Sequence, residues 1–309
     1  MLASMRKISI GLIAVLVLSV SALAKDSEKA FLGRWDFDMT GEHTVGANWL
    51  SVEKKGPTGY EIWFQPTGGH VHTVADYKFD GDHLVLHVTP QETWDLTATG
   101  GKLTGTDKRG DKSRDVTGVR APELKRKAPK AWSEPEALFN GKNLDGFEPI
   151  GDPSKSHWVV KDGFLLNETR GDNLKTTRTF DDFKVHFEVN CPDDANSGFY
   201  LRGRYEVQLE YAKEKEVPDR SMGSVYGRLA PSSELPRTPG KWETFDITLV
   251  GRMVTVVRNG VTVIDHKEIA GITGGALNAD EGEPGPFYIQ GDHTGGLMFR
   301  NITVSIPKK

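Results

Sequence analysis

Residues Phe199 to Tyr211, FYLRGRYEVQLEY, alternate between two kinds of side chain. Successive side chains of a β-strand point to opposite faces, so the pattern predicts one continuous strand with two different faces. The mainly apolar face would pack on a hydrophobic core. The polar face is interpreted either as one wall of a polar binding groove or as a solvated strand surface. Its members are Tyr200, Arg202, Arg204, Glu206, Gln208 and Glu210.

The length of 309 residues favours two domains of roughly 100 to 200 residues each. The single cysteine, Cys191, excludes an intrachain disulfide. Phosphate binding requires a concentrated basic face, whereas this chain has a net charge of -4 with the two signs mixed. We therefore expect no nucleic-acid partner.

Residues 1–24 have the pattern of an export signal. Arg6 and Lys7 precede an apolar run from Ile8 to Val20, and small residues occupy both recognition positions in Ala22-Leu23-Ala24. A membrane anchor is the alternative, but the run is shorter than the roughly 20 residues that cross a bilayer. We expect cleavage after Ala24, no membrane span after cleavage, and a periplasmic or secreted protein.

Residues 30–120 are predicted to form an N-terminal β domain. Turn residues interrupt the sequence every few positions, with short alternating runs between them and no helical periodicity. Asp80-Gly81-Asp82 and Gly100-Gly101 are typical of tight turns. The pattern predicts a small antiparallel barrel or sandwich.

Residues 121–137 are rich in proline and charge and are predicted to form a linker. Residues 138–307 again contain runs in which apolar and polar side chains alternate. Within them, Asn259-Gly260 lies between two valine-rich segments and strongly predicts a β-hairpin. Long antiparallel strands with almost no helix favour a jelly-roll β-sandwich with one concave face. The predicted fold class is therefore all-β in both domains.

Ordered motifs across residues 138–306 resemble one known family, the 3-keto-disaccharide hydrolase domain. They include LFNGKNLDGF at 138–147, FDDFKVHFEV at 180–189, NSGFYLRGRYEVQL at 196–209, GSVYG at 223–227, KWETFDITLVG at 241–251 and IQGDH at 289–293. The family pattern usually has tryptophan where this chain has Phe147. The resemblance implies a concanavalin-like jelly roll, often exported.

The resemblance also implies a substrate, a glycoside or disaccharide already oxidised at C3 of the sugar. A C3 ketone acidifies the C2 hydrogen, so a base can remove it and the aglycone leaves from C1 by elimination. Water can then add back, which gives net hydrolysis. This route needs a base near C2, a donor at the C3 oxygen and a proton source for the leaving group.

Candidate site residues follow from the motifs that carry the resemblance. Glu206 and His293 are both candidates for the general base, and Arg202 is a candidate to stabilise the enolate. Side chains expected to orient sugar hydroxyls, or in the case of the tyrosine to donate or stack, are Asn196, Gln208, Asp292 and Tyr226. No cofactor is certain; a divalent metal held by Glu206, Asp292 and His293 is a candidate that the spacing does not demand.

Two other functions remain open at the level of sequence. A retaining glycosidase would use Glu206 and Glu210 as its two carboxylates. Residues four apart on a regular strand have Cα atoms roughly 13 Å apart. A retaining mechanism requires carboxyl groups about 5 to 5.5 Å apart. A non-catalytic sugar-binding module with the same fold is the other alternative. Strict dependence on a 3-keto substrate would exclude the first, and turnover would exclude the second.

Overall fold

The computed structural model describes residues 28–39, 46–57, 59–211, 217–233 and 235–308. The predicted export signal at residues 1–24 lies outside these ranges. The described chain divides into two units, of which the first holds the residues up to Phe37 together with Trp49–Phe64 and His72–Arg120. The second holds the described part of Asp38–Asn48, the segment Gln65–Val71, and everything from Ala121 onward.

Short alternating strands form the first sheet, which has nine strands among the described residues in the order β4-β3-β2-β1-β9-β8-β7-β6-β5. The strands are β1 (Gly33–Asp38), β2 (Ala47–Lys55), β3 (Gly59–Gln65), β4 (His72–Thr73), β5 (Tyr77–Asp80), β6 (His83–Thr89), β7 (Glu92–Thr99), β8 (Lys102–Arg109) and β9 (Lys112–Arg120).

Strands that are neighbours in the sheet also follow one another in the chain, with one exception. The exception is the antiparallel pair of β1 and β9, which joins the run β1–β4 to the run β5–β9. Aromatic side chains fill its inner face: Trp94 packs edge-on against Phe37 at 5.1 Å and against Phe64 at 5.0 Å between ring centroids. The predicted all-β, antiparallel character of this region is confirmed. The charged strand β9 gave no clear apolar alternation and was not predicted.

Thirteen further strands build the second unit within the described ranges. They are β10 (Glu136–Ala137), β11 (Phe147–Pro149), β12 (Trp158–Lys161), β13 (Phe164–Asn167), β14 (Leu174–Thr176), β15 (Phe183–Asn190), β16 (Asn196–Leu201), β17 (Tyr205–Glu210), β18 (Trp242–Val250), β19 (Met253–Arg258), β20 (Val261–Glu268), β21 (Tyr288–Ile289) and β22 (Met298–Ser305). Short 3₁₀ turns occur at Pro153–Lys155 and Pro218–Arg220.

Two sheets share these strands. One has eight strands, ordered β12-β13-β22-β15-β18-β19-β20 with β10 also on β22, and the other has five, ordered β11-β14-β21-β16-β17. Aromatic rings pack between the two sheets. Phe187 of β15 stacks on Phe199 of β16 with ring centroids 4.3 Å apart, and Phe183 of β15 packs edge-on against Phe287 at 4.6 Å. The predicted all-β fold with a C-terminal β-sandwich is confirmed.

The predicted hairpin at Asn259-Gly260 is also present. It joins β19 to β20, and both turn residues have positive φ, 50° and 76°. Part of the predicted linker is strand, because Glu136–Ala137 pairs with β22. No helix in the described ranges is long and apolar enough to cross a bilayer.

Candidate active site

The stretch from Phe199 to Tyr211 is a hairpin, and the prediction of one continuous strand is wrong. The chain reverses at Arg202-Gly203, where φ is 52° and 68°, and the Arg204 amide donates to the Leu201 carbonyl at 3.0 Å. Three residues separate the paired positions Leu201 and Tyr205, so even-numbered residues pair with even-numbered residues across the hairpin. Both strands therefore present the polar side chains on the same face. Tyr200 lies directly opposite Glu206, and Gly198 lies opposite Gln208. The polar face is therefore two strands wide.

The turn removes Arg202 from the polar face. Its side chain is fully buried, donating to the Gly251 carbonyl at 2.6 Å and to the Tyr205 hydroxyl at 3.3 Å, with Asp181 as its carboxylate partner. Arg202 does not line the cavity on that face. The structure thus does not bring the predicted enolate stabiliser to the other site residues.

A cavity of about 230 Å³ lies on the polar face of the five-stranded sheet. Six predicted site residues line it together, namely Asn196, Glu206, Gln208, Tyr226, Asp292 and His293. Residues not predicted also line it, including Thr67, Gly68, Ile150, Asn173, Tyr200, Gly274, Gly275, Ala276, Leu277, Tyr288 and Gln290. The structure therefore gathers all the predicted residues except Arg202.

Main-chain pairing places Tyr226 at this cavity. The segment around it runs along the free edge of β17, where the Gln208 amide donates to Ser224 at 3.0 Å and the Tyr226 amide donates to Glu206 at 3.0 Å. A second segment is fixed by Thr273, whose hydroxyl accepts from the Glu206 amide at 3.0 Å and donates to the Arg204 carbonyl at 3.2 Å. It delivers Gly274 and Gly275 to the cavity.

Glu206 is the buried acid of the site, with 4% of its surface exposed. Its carboxyl group lies against Gly198, where an added Cβ would overlap Oε1. Burial raises the pKa of Glu206 to about 8, opposed by a hydrogen bond with Tyr200 and by the nearby His293. At neutral pH this carboxyl group therefore carries its proton and can donate it.

Asp292 and His293 form a hydrogen-bonded pair in which Nδ1 of the ring lies 2.8 Å from Oδ1. The hydrogen bond that His293 donates to Asp292 raises the pKa of His293, although burial lowers it. Burial would raise the pKa of Asp292, but His293 outweighs it and holds that pKa below its usual range. An ionised carboxylate only accepts, so Nδ1 carries hydrogen and Nε2 of a neutral ring is free to accept a proton.

Two tyrosines form the floor beside Glu206. Tyr200 and Tyr288 are register partners on β16 and β21, and their rings stack 3.7 Å apart at 14°. Both hydroxyls lie against Gly275, where an added Cβ would overlap Tyr200. Burial, with Glu206 the next cause, raises the pKa of both tyrosines. They are neutral donors at any physiological pH.

Sequence reasoning had partial signals for these tyrosines. Tyr200 lies on the predicted polar face, whereas Tyr288 is not among the candidate site residues. Their partnership depends on the pairing of β21 with β16. These strands are 87 to 93 residues apart in the chain, so no local pattern could connect them.

The segment Gln65–Val71, between β3 and β4, also reaches the cavity through Thr67 and Gly68. The Gly68 amide donates to the Gly274 carbonyl at 2.6 Å, and Arg228 ties Gln65 to the Ile272 carbonyl at 3.1 and 2.7 Å. Asn48 accepts from the Thr67 amide at 2.6 Å. Nothing in the local sequence of this segment signalled a contribution to the site.

The candidate metal set does not form a chelating cluster. In the part of the chain that the structure describes, no group of three or more His, Cys, Asp or Glu side chains is arranged to hold a metal ion. Asp292 and His293 satisfy one another instead. In this arrangement the three residues do not fit a protein-bound metal.

A β-sandwich that presents amides, tyrosines, a buried acid and an imidazole in one small cavity has the chemistry of a carbohydrate-active protein. A sequence model of the 3-keto-alpha-glucoside-1,2-lyase-like domain matches residues 134–305, more than half of the chain. The chain belongs to this family. The resemblance drawn from the motifs at 138–306 is confirmed.

Solved structures give weaker likenesses. One "putative glycosyl hydrolase" from Parabacteroides distasonis is 26% identical, with 59% of this chain and 93% of that chain covered and a TM-score of 0.48. A second "putative glycosyl hydrolase" from the same organism is 19% identical, with 57% and 94% covered and a TM-score of 0.47. No curated protein matches the chain.

Proposed function

We propose that this protein is an exported enzyme that cleaves the glycosidic bond of 3-keto-glycosides by removing the C2 proton and eliminating the aglycone, with or without rehydration. The observation that carries the proposal is that one cavity holds both a buried protonated acid, Glu206, and an imidazole base, His293. Family membership supports the same chemistry. An elimination needs these two functions in opposite protonation states.

His293 is proposed as the base. Asp292 holds its Nδ1–H, so Nε2 takes the C2 proton and Asp292 stabilises the imidazolium that forms. The C2–H electron pair moves into the C2–C3 bond and the ketone oxygen becomes an enolate oxygen. Asp292 therefore acts through His293 and need not touch the sugar.

Glu206 is proposed as the acid. It lies close enough to His293 for their charges to interact, and it is hydrogen-bonded to Tyr200. When the enolate collapses, the C1–O bond breaks and the leaving oxygen takes the Glu206 proton. Tyr288 donates its only hydroxyl proton to the Gly275 carbonyl at 2.5 Å, so Tyr200 is the neutral donor proposed for the C3 oxygen. The products are the free aglycone and a sugar with a C1–C2 double bond, to which water adds if the reaction ends in hydrolysis.

The geometry gives less support to a retaining glycosidase. Glu210 does not line the cavity, and its carboxylate accepts a hydrogen bond from Gln208 Nε2 at 2.6 Å. Only Glu206 of that pair is available to a sugar in the cavity.

The proposal is tested by incubating the purified protein with a glucoside and with its 3-keto derivative, each with and without a chelator, and following aglycone release. Release from the keto form alone is expected, with deuterium from heavy water appearing at C2 of recovered substrate if proton removal is reversible. No release from the keto form with or without chelator, or equal release from the unoxidised glucoside, contradicts the proposal. Binding without any turnover would establish a sugar-binding module instead.

Export is tested separately. We expect the mature protein in the periplasm or medium to begin at Lys25, as read by N-terminal sequencing. A full-length protein retained with the cells contradicts this part of the proposal alone.

A further inference from the structure

The proposed base lies on a loop whose position depends on its main chain. Residues 291–294 lie between β21 and β22, and the side chains of Asp292 and His293 within them are about half exposed. The two side chains hydrogen-bond to one another at 2.8 Å. A half-exposed pair of this kind keeps one direction only where the main chain that carries it is fixed. The partners of that main chain therefore matter for the proposed reaction.

Asn167, the last residue of β13, holds both ends of this loop. Its side chain is buried, and its Nδ2 donates to the Thr294 carbonyl at 3.0 Å and to the Gly291 carbonyl at 3.3 Å. An amide nitrogen carries two hydrogens, so one group can serve two carbonyls. Asp292 and His293 are the two residues between these carbonyls. A single side chain thus spans the segment that presents the pair.

The main chain of Asn167 bonds to the same connection. Its amide donates to the Leu297 carbonyl at 3.1 Å, and its carbonyl accepts from the Gly296 amide at 2.6 Å. The preceding residues Leu165 and Leu166 pair with β22. The loop of the base is therefore tied to the eight-stranded sheet through the end of β13.

Other hydrogen bonds hold one end of the loop each. The Gly291 amide donates to Asn173 Oδ1 at 2.7 Å. At the other end, the Thr294 hydroxyl accepts from the Asn196 amide at 2.7 Å. The side chain of Asn167 differs from these because it joins the two ends to each other.

The side-chain amide of Asn167 has one satisfied side and one unsatisfied side. Carbonyl oxygens only accept hydrogen bonds, so Nδ2 must face Gly291 and Thr294 while Oδ1 faces away from them. Among the described residues, Oδ1 has no hydrogen-bond partner, and its burial costs free energy. An apolar side chain of similar size would avoid that cost. The bonds that Nδ2 donates are therefore what the amide contributes at this position.

We propose that Asn167 is a positioning residue, which aims His293 into the cavity by joining the two ends of the loop that carries it. The inference rests on the proposed function, in which His293 is the base, and adds a residue to that machinery. Asn167 does not line the cavity, so it acts through the main chain and does not touch the sugar. Without its bonds the loop gains freedom, and the imidazole spends less time in the orientation that reaches C2. Glu206 lies on β17 and keeps its place.

Two variants of the full chain remove the donor. Asn167→Leu keeps a similar size, and Asn167→Ala adds no bulk if leucine does not fit. We expect kcat on a 3-keto aryl glycoside to fall about tenfold or more, because a misplaced reacting group costs a large factor in rate. KM should change by less than about twofold, since the residues that bind the sugar stay in place.

Asn190→Leu and Asn190→Ala are the matched controls. Asn190 is also buried in the sandwich, and its Nδ2 donates to the Gly240 carbonyl at 2.9 Å. Asn190 does not line the cavity. These variants should lose stability but keep kcat, so they show what the loss of a buried amide does to the fold alone.

The tautomer of His293 tests the positioning without any substrate. Nitrogen-15 spectra of the ring report which nitrogen carries hydrogen, and the His293 signals are assigned by their loss in His293→Gln. In the wild type the neutral ring should carry hydrogen on Nδ1, which donates to Asp292. In both Asn167 variants the pair should be held less firmly, and we expect a mixture of the two tautomers. The Asn190 controls should match the wild type.

Thermal unfolding defines a temperature at which every variant is folded, and all spectra and rates are compared there. An unchanged His293 tautomer in the folded Asn167 variants, or a kcat no lower than that of the Asn190 controls, would overturn the inference. A wild type that does not cleave 3-keto glycosides, together with a tautomer change in the Asn167 variants, would overturn the proposed function and leave the positioning of His293 by Asn167 standing.

Discussion

The carboxyl group of Glu206 lies against the α-carbon of Gly198, in space that any larger side chain would occupy. The two residues sit on adjacent strands of one hairpin, and Gly198 has an ordinary strand backbone without positive φ. Glycine is therefore required here for room, and not for backbone conformation. This contact keeps the carboxyl group of Glu206, the proposed acid, away from solvent.

Gly198→Ala is expected to displace the Glu206 side chain from Cγ outward while keeping the strand pairing, because an added Cβ would overlap Oε1 and come within 2.8 Å of Cγ and 2.9 Å of Cδ. Misplacement by about 1 Å can cost on the order of a hundredfold in rate. We expect kcat/KM to fall by that order with a nearly unchanged melting temperature. Gly282→Ala is the control, since an added Cβ there meets its nearest atom, in Pro122, at an ordinary 3.7 Å. A fully active Gly198→Ala variant would show that the position of Glu206 is not important.

The pH dependence of kcat/KM should carry an alkaline limb near pH 8. Burial raises the pKa of Glu206 to about 8, and the proposed acid works only while protonated, so activity falls as the pH rises through that value. Glu206→Gln should lose most activity at every pH, because the amide cannot give up a proton to the leaving oxygen. The measurement is a pH series with a 3-keto aryl glycoside. An unchanged alkaline limb in residual Glu206→Gln activity would assign that limb to another group.

Glu206 should also make folding stability depend on pH. Its pKa is about 8 in the folded protein against an ordinary 4.5, so between these values the folded state keeps a proton that the unfolded state has lost. The free energy of unfolding then falls as pH rises across this window, with a slope of up to about 1.4 kcal/mol per pH unit from this group. Denaturant titrations from pH 5 to pH 8 should show a flatter dependence for Glu206→Gln than for the wild type. Parallel curves would mean that Glu206 is not kept protonated by burial.

Asp292→Asn tests the proposed base. The hydrogen bond that His293 donates to Asp292 raises the pKa of His293, so its removal should lower that pKa and move the acidic limb of the rate profile to lower pH. The ring also loses the partner that fixes its tautomer, and we expect kcat to fall at least about tenfold. A rate profile whose acidic limb stays in place would show that His293 is not the base. Asp182→Asn offers a comparison, because that carboxylate does not line the cavity.

Arg202 is expected to support the fold and not the reaction. Arg202→Met leaves the Gly251 carbonyl and the Tyr205 hydroxyl without their buried partner, which should lower the free energy of unfolding by about 2 kcal/mol or more. The exposed Arg178, paired with Glu136, is the matched control, and Arg178→Met should cost no more than about 1 kcal/mol. If the Arg202→Met variant folds with normal stability but its kcat falls to background, Arg202 takes part in the reaction.

Local patterns were sufficient for much of the fold. Alternation and turn residues gave most strands of the first sheet and the hairpin at Asn259-Gly260, because these depend on neighbours in the chain. They failed at Arg202-Gly203. The turn there keeps the phase of the alternation, so one long strand and a hairpin give the same pattern of faces.

The sequence by itself determined the all-β class, the family, and six of the side chains that line the cavity, since motif order and strand phase are properties of the chain alone. Only the tertiary structure decided which of those side chains meet. Pairing of β16 with β21 stacks Tyr200 on Tyr288, and the hairpin turn sends Arg202 into the interior. The protonation of Glu206 belongs to the same category. Its raised pKa comes first from burial, and burial is created by segments distant in sequence that close around it.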